Sequence, residues 1–235
     1  MEKRDYQRPT MKKYLNNIRT LAALLMAGAA FAACTNKDDS VEINPETDKT
    51  YTMATNAVAG DVGKLICTDG HIHAYGEDAE CTAARVAMIA YVGGDTGDET
   101  YNHGLAIALE DVSTNMLSWD NSGTDNNGKT AAEWCDAWNT SEPVTDGAWM
   151  LPNDDQWQNM LESINYIYFF DVLNTNIVSA GGTPLQLDGD YWSSTENDEN
   201  NEWAIGWTFN EDGETATPWS WYKTSAYHVR ACLAF

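Results

Sequence analysis

The sequence predicts an α+β domain preceded by an export leader. Two observations predict the fold class. Short apolar runs separated by Gly, Asp, Asn and Thr are typical of strands joined by turns, and two segments between residues 129 and 164 have helical spacing. Strands, then two helices, then a section of strands and loops is the order of an α+β domain. We expect residues 50–235 to form this one domain.

The first 33 residues have the composition of a signal peptide. A basic segment begins at Met11, and the apolar run 21–33 ends in small residues directly before Cys34. This run is too short for a bilayer, which takes about 20 apolar residues. The letters FAAC resemble a bacterial lipobox, in which a peptidase cuts before the cysteine and the thiol carries diacylglycerol. The resemblance implies lipidation at Cys34.

Residues 34–49 are polar and extended, so we interpret them as an acidic tether. The letters TNKDD after Cys34 look like the lysine-plus-two-acids tag of Bacteroidetes surface lipoproteins. That resemblance implies an outer-membrane protein that faces outside and touches the membrane only through its lipid. The alternative is a tether that is merely well solvated.

The charge of the chain excludes some partners. The formal net charge is −23, and the part from Cys34 onward has seven basic and 34 acidic side chains, a net of −27. Such a surface repels nucleic acid and anionic membranes. Clustered carboxylates suit calcium, but no EF-hand spacing is present, so we interpret them as a solvated surface and predict no metal and no cofactor.

The strands are predicted from alternation and from turn residues. Residues 62–67 and 71–75 flank Thr68-Asp69-Gly70, where Asp-Gly favours a hairpin, and apolar strands follow at 84–92 and 104–112. His71 and His73 would share one face of the hairpin. Without a third ligand, we interpret them as exposed residues rather than as a metal site.

The helices are predicted from apolar stripes. On the first, over residues 129–138, the buried stripe consists of Ala131, Trp134, Cys135 and Trp138. The second begins after Asn153, a good N-cap followed by acids that complement the helix dipole. Its inward face consists of Trp157, Leu161 and Ile164.

Four cysteines remain besides Cys34, and they allow two disulfides in three pairings. We favour Cys135 with Cys232, which would join the first helix to the last strand, and Cys67 with Cys81 beside the hairpin. Four buried free thiols are the open alternative.

The motifs of common enzymes are absent from the sequence. It contains no GxSxG, no HExxH and no phosphate-binding glycine loop, and no histidine is placed by sequence to activate Ser193 or Ser194. We therefore expect a binding or structural protein and not an enzyme.

The last 45 residues organise the domain. Trp203, Ile205, Trp207 and Phe209 alternate with small residues, which predicts a strand with one large apolar face. The flanking segments 196–202 and 211–222 are polar and acidic, so we expect loops there. Among the tryptophans of this section, we assign Trp192, Trp203 and Trp207 to the core.

The motifs WMLPNDDQW and YWSSTE, with a closing YHVR segment, resemble the C-type-lectin-like domains of bacterial exported proteins, and more narrowly the domain of unknown function 1566 and Fibrobacter major paralogous domain group. The resemblance covers residues 51–235. It implies a looped antiparallel sheet with two helices and a disulfide from the first helix to the last strand, which fits Cys135 and Cys232. Calcium-dependent sugar binding is not implied, because Glu142-Pro143-Val144 lacks the amide of the sugar-binding motif.

The tail also resembles the variable proteins of diversity-generating retroelements, whose final segment is rewritten at adenines. That resemblance implies a set of diversified, ligand-binding positions, namely Asn197, Asp198, Asn200, Asn201, Trp219, Ser220, Trp221 and Tyr222. The alternative is a fixed member of the same group. Aromatic residues with Asn and Ser suit a binding surface for an unknown protein or glycan. A second hypothesis is a structural or assembly component of the cell envelope.

Overall fold

The computed structural model describes residues 52–74, 83–164, 169–210 and 215–235. The predicted signal peptide, the lipidation site Cys34, the tether and Cys81 lie outside these residues. Within the described ranges, the strands are β1 (Thr52–Met53), β2 (Leu65–Cys67), β3 (His71–His73), β4 (Arg85–Val92), β5 (Gly104–Ala108), β6 (Leu117–Ser118), β7 (Ala148–Met150), β8 (Gly189–Glu196), β9 (Trp203–Phe209), β10 (Ala216–Tyr222), β11 (Ala226–Tyr227) and β12 (Cys232–Ala234).

Seven of these strands form an antiparallel sheet in the order β1-β3-β2-β4-β5-β12-β7. The predicted hairpin is confirmed as β2 and β3, with Gly70 at a φ of +83° that a glycine adopts without strain. The predicted strand at 84–92 is confirmed as β4, and the one predicted at 104–112 is found as β5, which ends earlier, at Ala108. The last strand of the chain, β12, lies inside the sheet between β5 and β7, so the carboxyl terminus is part of the core.

A second, three-stranded antiparallel sheet has the order β10-β9-β8, and β6 pairs with β11. Strand β9 confirms the predicted strand from Trp203 to Phe209. The expectation of a loop over 211–222 was wrong for its second half, because residues 216–222 form β10. With few helices and mostly antiparallel sheets, the fold agrees with the predicted α+β class.

Both faces of the large sheet are buried. Alternate residues of a strand point to opposite faces, so each central strand contributes to two cores. On β12 and its flanks, Ala231 and Leu233 pack in one core, whereas Cys232 and Ala234 pack in the other. Strand β8 likewise places Trp192 in the first core and Tyr191 in the second.

The helices cover these two cores. They are α1 (Ala131–Asp136), α2 (Trp138–Ser141), α3 (Asp154–Ser163) and α4 (Phe169–Ser179), with short 3-10 helices at Ala54–Asn56, Ala59–Asp61 and Thr124–Asn126. Helix α1 packs on the first core, and α3 and α4 pack on the second. The predicted helix over 129–138 instead begins at Ala131, is interrupted at Ala137 and continues as α2 to Ser141. Helix α4 was not predicted.

Helix α3 confirms the predicted cap and inward face. The side chain of Asn153 accepts a hydrogen bond from the Gln156 N–H (2.7 Å), and the Gln156 side chain accepts one from the Asn153 N–H (2.6 Å). This reciprocal capping box satisfies two donors at the start of the helix. Trp157 and Leu161 are buried, and Ile164 is half-buried against the same core.

The predicted disulfide between Cys135 and Cys232 is not formed, since both residues are buried free thiols in this structure. The reason is the direction of the strand residues: Cys135 packs in the first core, and Cys232 points into the second. Burial is the main cause that raises the pKa of both thiols well above the ordinary value, so both stay protonated and unreactive. The second predicted pair includes Cys81 and lies outside the described residues.

Two further observations concern the hairpin and the membrane. His73 is buried, not exposed as expected, because it lies opposite Leu65 of β2, whose side chain packs in the second core. His71 is half-buried. Among the described residues, no helix has both the length and the apolar character needed to span a membrane.

Candidate functional site

The eight predicted ligand-facing residues occupy two neighbouring segments. Four lie in the connection between β8 and β9, and four are the last residues of β10. Because β8 ends, β9 begins and β10 ends at the same end of the sheet, the two segments are adjacent. A hydrogen bond from Asn197 Nδ2 to Ser220 Oγ (2.8 Å) joins them directly.

The two asparagines Asn197 and Asn200 shape the loop between β8 and β9. Asn197 Oδ1 accepts hydrogen bonds from the backbone N–H groups of Glu199 and Asn200, both at 2.9 Å. Asn200 Oδ1 accepts one from the N–H of Glu202 (3.0 Å). Such side-chain-to-backbone bonds fix a turn without a helix or strand. Asn197 and Asn200 therefore build the loop, and the exposed side chains of Asp198 and Asn201 project from it.

The aromatic residues of β10 divide between solvent and core. Trp219 and Tyr222 are each 55% exposed. Trp221 is half-buried, packs on the first core and lies 5.4 Å from the ring of Tyr227. The Trp221 ring fits over Gly206 of β9, where an added Cβ would meet it at 3.1 Å. Trp221 therefore supports the surface, and Trp219 and Tyr222 present the contact area.

The pairing of β10 with β9 decides which backbone groups of β10 face the open edge of the sheet. The Lys223 N–H donates to the Glu202 carbonyl (2.9 Å), which fixes the alternation of backbone groups along the strand. In this register Trp219 and Trp221 direct their backbone groups to β9, and Pro218 lies among the residues that face outward. Proline has no N–H, so it fits at an outer edge and removes a donor there. Recognition by side chains is thus favoured over the addition of another strand.

Two residues that sequence reasoning missed brace this end of the sheet. Lys223 Nζ forms an ion pair with Glu196 (2.6 Å) and lies 4.5 Å from the ring centroid of Trp119. The indole of Trp119 donates to the Ser193 carbonyl (2.7 Å). Lys223 is the single lysine among residues 191–235, and a lone lysine in an acidic segment favours an ion pair with a carboxylate. The contact between Lys223 and Trp119 joins residues far apart in the sequence, so no local sequence pattern predicts it.

The exposed residues of this region form what we call the tail surface: Asp198, Glu199, Asn201, Glu202, Trp219 and Tyr222. Three of the six are carboxylates, and the nearby Lys223 is already paired with Glu196. Trp219 and Tyr222 project from opposite faces of the outer strand β10, so the tail surface extends around this edge of the sheet. It combines two large aromatic groups with net negative charge. Among the described residues, no group of three or more His, Cys, Asp or Glu side chains could bind a metal ion.

A buried ionic network fastens the tail to the rest of the domain. The guanidinium of Arg230 is fully buried, and its Nε lies 2.6 Å from Asp111 Oδ1, close enough for an ion pair although not aligned as a regular hydrogen bond. Arg230 also donates to the carbonyls of Ala108 (3.0 Å) and Thr183 (2.9 Å). His228 Nδ1 lies 3.0 Å from the other oxygen of Asp111.

Tyr191 extends this network towards β8. Its ring stacks on His228 at a centroid distance of 4.9 Å, and its hydroxyl accepts a hydrogen bond from the Gln186 N–H (2.9 Å). Burial, helped by the negative charge of Asp111, raises the pKa of Tyr191 to about 12. The phenol is therefore neutral at all physiological pH values and acts as a structural group.

Comparisons with known proteins concern the fold. No protein-family model matches the sequence, and no curated protein matches it. Among solved structures, the chain is similar to a fimbrial protein from Bacteroides ovatus, with a TM-score of 0.52 and 16% sequence identity. The similarity covers 74% of this chain and 48% of that protein, so the chain spans about half the length of this neighbour. At this identity, the likeness shows a shared fold alone.

Proposed function

We propose that the protein is a lipid-anchored, surface-exposed component of a bacterial outer membrane whose domain binds a protein or glycan ligand through the tail surface. The observation that carries the proposal is the exposure of Trp219 and Tyr222 on a braced strand. Large exposed aromatic groups are unusual on a well-solvated surface, and they dominate the energy of most interfaces. The role is binding and not catalysis.

Rigidity supports this use of the tail surface. The loop between β8 and β9 is fixed by Asn197 and Asn200, and β10 is fixed by Trp221 in the core. A surface that is already ordered loses little conformational entropy when a ligand binds. Tyrosine and tryptophan add contact area with few rotatable bonds. The carboxylates beside them favour neutral or basic ligands over acidic ones.

The C-type-lectin-like assignment and the diversified tail are part of this proposal. If a retroelement rewrites the tail, substitutions are expected at Asp198, Asn201, Trp219 and Tyr222, whose side chains project outward. The four positions whose side chains hydrogen-bond within the tail or pack on the core, Asn197, Asn200, Ser220 and Trp221, are expected to vary less. Sequencing the 3′ end of the gene from many cells of one population tests this. Equal variation at all eight positions, or an invariant tail, would contradict it.

An assembly role in the cell envelope is the second candidate, and the similarity to a fimbrial protein is the observation that favours it. In that case the partner would be another envelope protein, and the contact would not depend on the tail surface. The two candidates therefore differ in which substitutions abolish partner capture.

Partner capture by the full chain tests the proposal. Wild-type protein and a Trp219→Ala, Tyr222→Ala variant are immobilised and exposed to proteins and glycans from the surroundings of the producing cell. We expect the variant to lose the partners that the wild type retains, because the two aromatic groups supply most of the contact area. Leu187→Ala, which removes an exposed apolar side chain outside the tail surface, is the matched control. Capture of the same envelope partner by wild type and variant would support assembly instead.

A further inference from the structure

Strands β9 and β10 share a face whose outer end is covered by neither core. Alternation along the paired strands places four apolar residues on the same side, namely Trp203, Ile205, Pro218 and Tyr222. Trp207, on this side as well, is buried in the second core, but the four residues pack in neither core. Trp203 was assigned to the core from the sequence and is half-buried instead. We call these four residues the Tyr222 face.

The Tyr222 face is accessible, and its side chains are fixed. Pro218 and Tyr222 are exposed, and the other two members are half-buried. The rings of Trp203 and Tyr222 meet edge-on at a centroid distance of 5.3 Å, so each limits the motion of the other. Ser220, on the same side, accepts a hydrogen bond from Asn197 (2.8 Å), which joins this face to the loop between β8 and β9. A ligand would therefore meet an ordered apolar surface.

Two carboxylates at the start of α3 border the Tyr222 face. The indole of Trp207, which lies opposite Pro218, donates to Asp154 Oδ1 (2.8 Å). Burial is the main cause that raises the pKa of Asp154, and the negative charge of the exposed Asp155 adds to it. Among the residues that the structure describes, neither carboxylate forms an ion pair with a basic side chain. This border of the face thus lacks a positive partner.

We propose that the Tyr222 face binds a polypeptide segment that carries both apolar and basic side chains. The inference rests on the proposed function and specifies its ligand class as a protein. Apolar side chains would cover Ile205 and Pro218 and remove their surface from water. A lysine or arginine would pack its alkyl stem on the same residues, bring its charge to Asp154 and Asp155, and lie against the ring of Tyr222. An acidic segment would be repelled, and a neutral glycan would leave both carboxylates without a positive partner.

Binding of short peptides to the full chain tests this face. The probes are capped peptides of about six residues that alternate leucine with lysine, with serine or with glutamate, and maltohexaose is the glycan probe. Calorimetry at an ionic strength of about 0.15 M screens charges farther away than roughly 8 Å, which suppresses general attraction to the acidic chain. We expect the lysine peptide to bind at least about 10-fold more tightly than each of the other probes.

Substitutions on the two sides of β10 locate the bound peptide. Tyr222→Ala should weaken binding of the lysine peptide at least about 10-fold, and Asp154→Asn at least about 5-fold. Asparagine keeps an oxygen that can accept from the Trp207 indole, so Asp154→Asn removes the charge and leaves the acceptor. The matched controls are Trp219→Ala, on the opposite side of the same strand, and Glu162→Gln, at the other end of α3. Each control should change binding less than about 2-fold.

Three results would overturn the inference. These are equal binding of the lysine and serine peptides, tighter binding of maltohexaose than of the lysine peptide, and equal weakening by Trp219→Ala and Tyr222→Ala. Because Tyr222 is exposed, its substitution keeps the test valid even if Asp154→Asn destabilises α3.

Failure of this inference is distinguishable from failure of the proposed function. Partner capture assumes no ligand class, so its loss in the Trp219→Ala, Tyr222→Ala variant would support the tail surface whatever the peptides do. Unchanged capture would remove the proposed function itself.

Discussion

Replacing Asp111 by alanine is expected to lower the free energy of unfolding by about 3–5 kcal/mol. The guanidinium of Arg230 has no exposed surface, and Asp111 is the carboxylate that faces it at 2.6 Å. Removing that carboxylate leaves a buried charge with neutral partners, among them two carbonyl groups. It also removes the oxygen beside His228, which stacks on Tyr191 in β8. The tail and the large sheet would therefore lose their main polar connection.

Urea denaturation of the full chain, followed by tryptophan fluorescence, measures this effect. The matched control is Glu196→Gln, which removes the carboxylate of the Lys223 ion pair, where the side chain of Glu196 is 56% exposed. An exposed pair contributes little, so the control should shift the unfolding free energy by less than about 1 kcal/mol. Similar losses for both variants would show that the Asp111 network is no more important than a surface pair.

Replacing Trp192 by alanine is expected to cost about 3–5 kcal/mol of stability. Trp192 has no exposed surface, contacts Tyr227 at 4.9 Å and donates from its indole to the Leu117 carbonyl (2.9 Å). Its backbone carbonyl accepts from the indole of Trp157 in the second core (3.3 Å). The substitution would leave a cavity where β8 joins both cores, and the buried Leu117 carbonyl would lose its indole donor.

Trp219→Ala is the paired control for this prediction. Trp219 lies in the same three-stranded sheet but is more than half exposed, so its removal should change stability by about 0.5 kcal/mol or less. The comparison uses chemically identical substitutions and differs only in burial. Equal stability losses at the two positions would contradict the division of tail tryptophans into core and surface.

The elements that local signals specify were predicted from the sequence. The start of α3 follows from Asn153 and Gln156, which cap the helix within four residues of each other. Strand β9 follows from the alternation that begins at Trp203, and the β2–β3 hairpin follows from Asp69-Gly70. In each case the element is fixed by residues that are close in the sequence, so their type and spacing are sufficient to predict it.

The elements that depend on distant partners were not predicted. Strand β10 contains Pro218 and follows an acidic segment, which are features of a loop, yet pairing with β9 makes it a strand. The burial of Arg230 depends on Asp111, which no local pattern connects to it. Trp219 and Trp221 lie on the same face of β10, so their different roles depend on how far along the strand that face is covered by the core. The direction of Cys232 likewise follows from its place in the sheet, and this is why the expected disulfide with Cys135 was wrong.

The structure separates the eight predicted site residues into two groups by their contacts. The predicted residues do meet at one end of a sheet, but half of them have structural contacts. Asn197 and Asn200 shape the loop, and Trp221 packs inward. The composition of the tail indicated a binding surface but did not assign roles within it. Asn, Ser and aromatic residues suit both the residues that contact a ligand and those that support the surface. Only burial and hydrogen-bond partners separate the residues that present the surface from those that support it.

The affinity of the full chain for a captured ligand tests the central claim most directly. The dissociation constant is measured for wild type, for Trp219→Ala, Tyr222→Ala, and for the control Leu187→Ala, an exposed position outside the tail surface. We expect the double variant to bind at least about 30-fold more weakly, as the loss of two interface aromatics implies, with its stability intact and the control unchanged. An unchanged dissociation constant in the folded double variant would contradict the proposal that the tail surface binds the ligand.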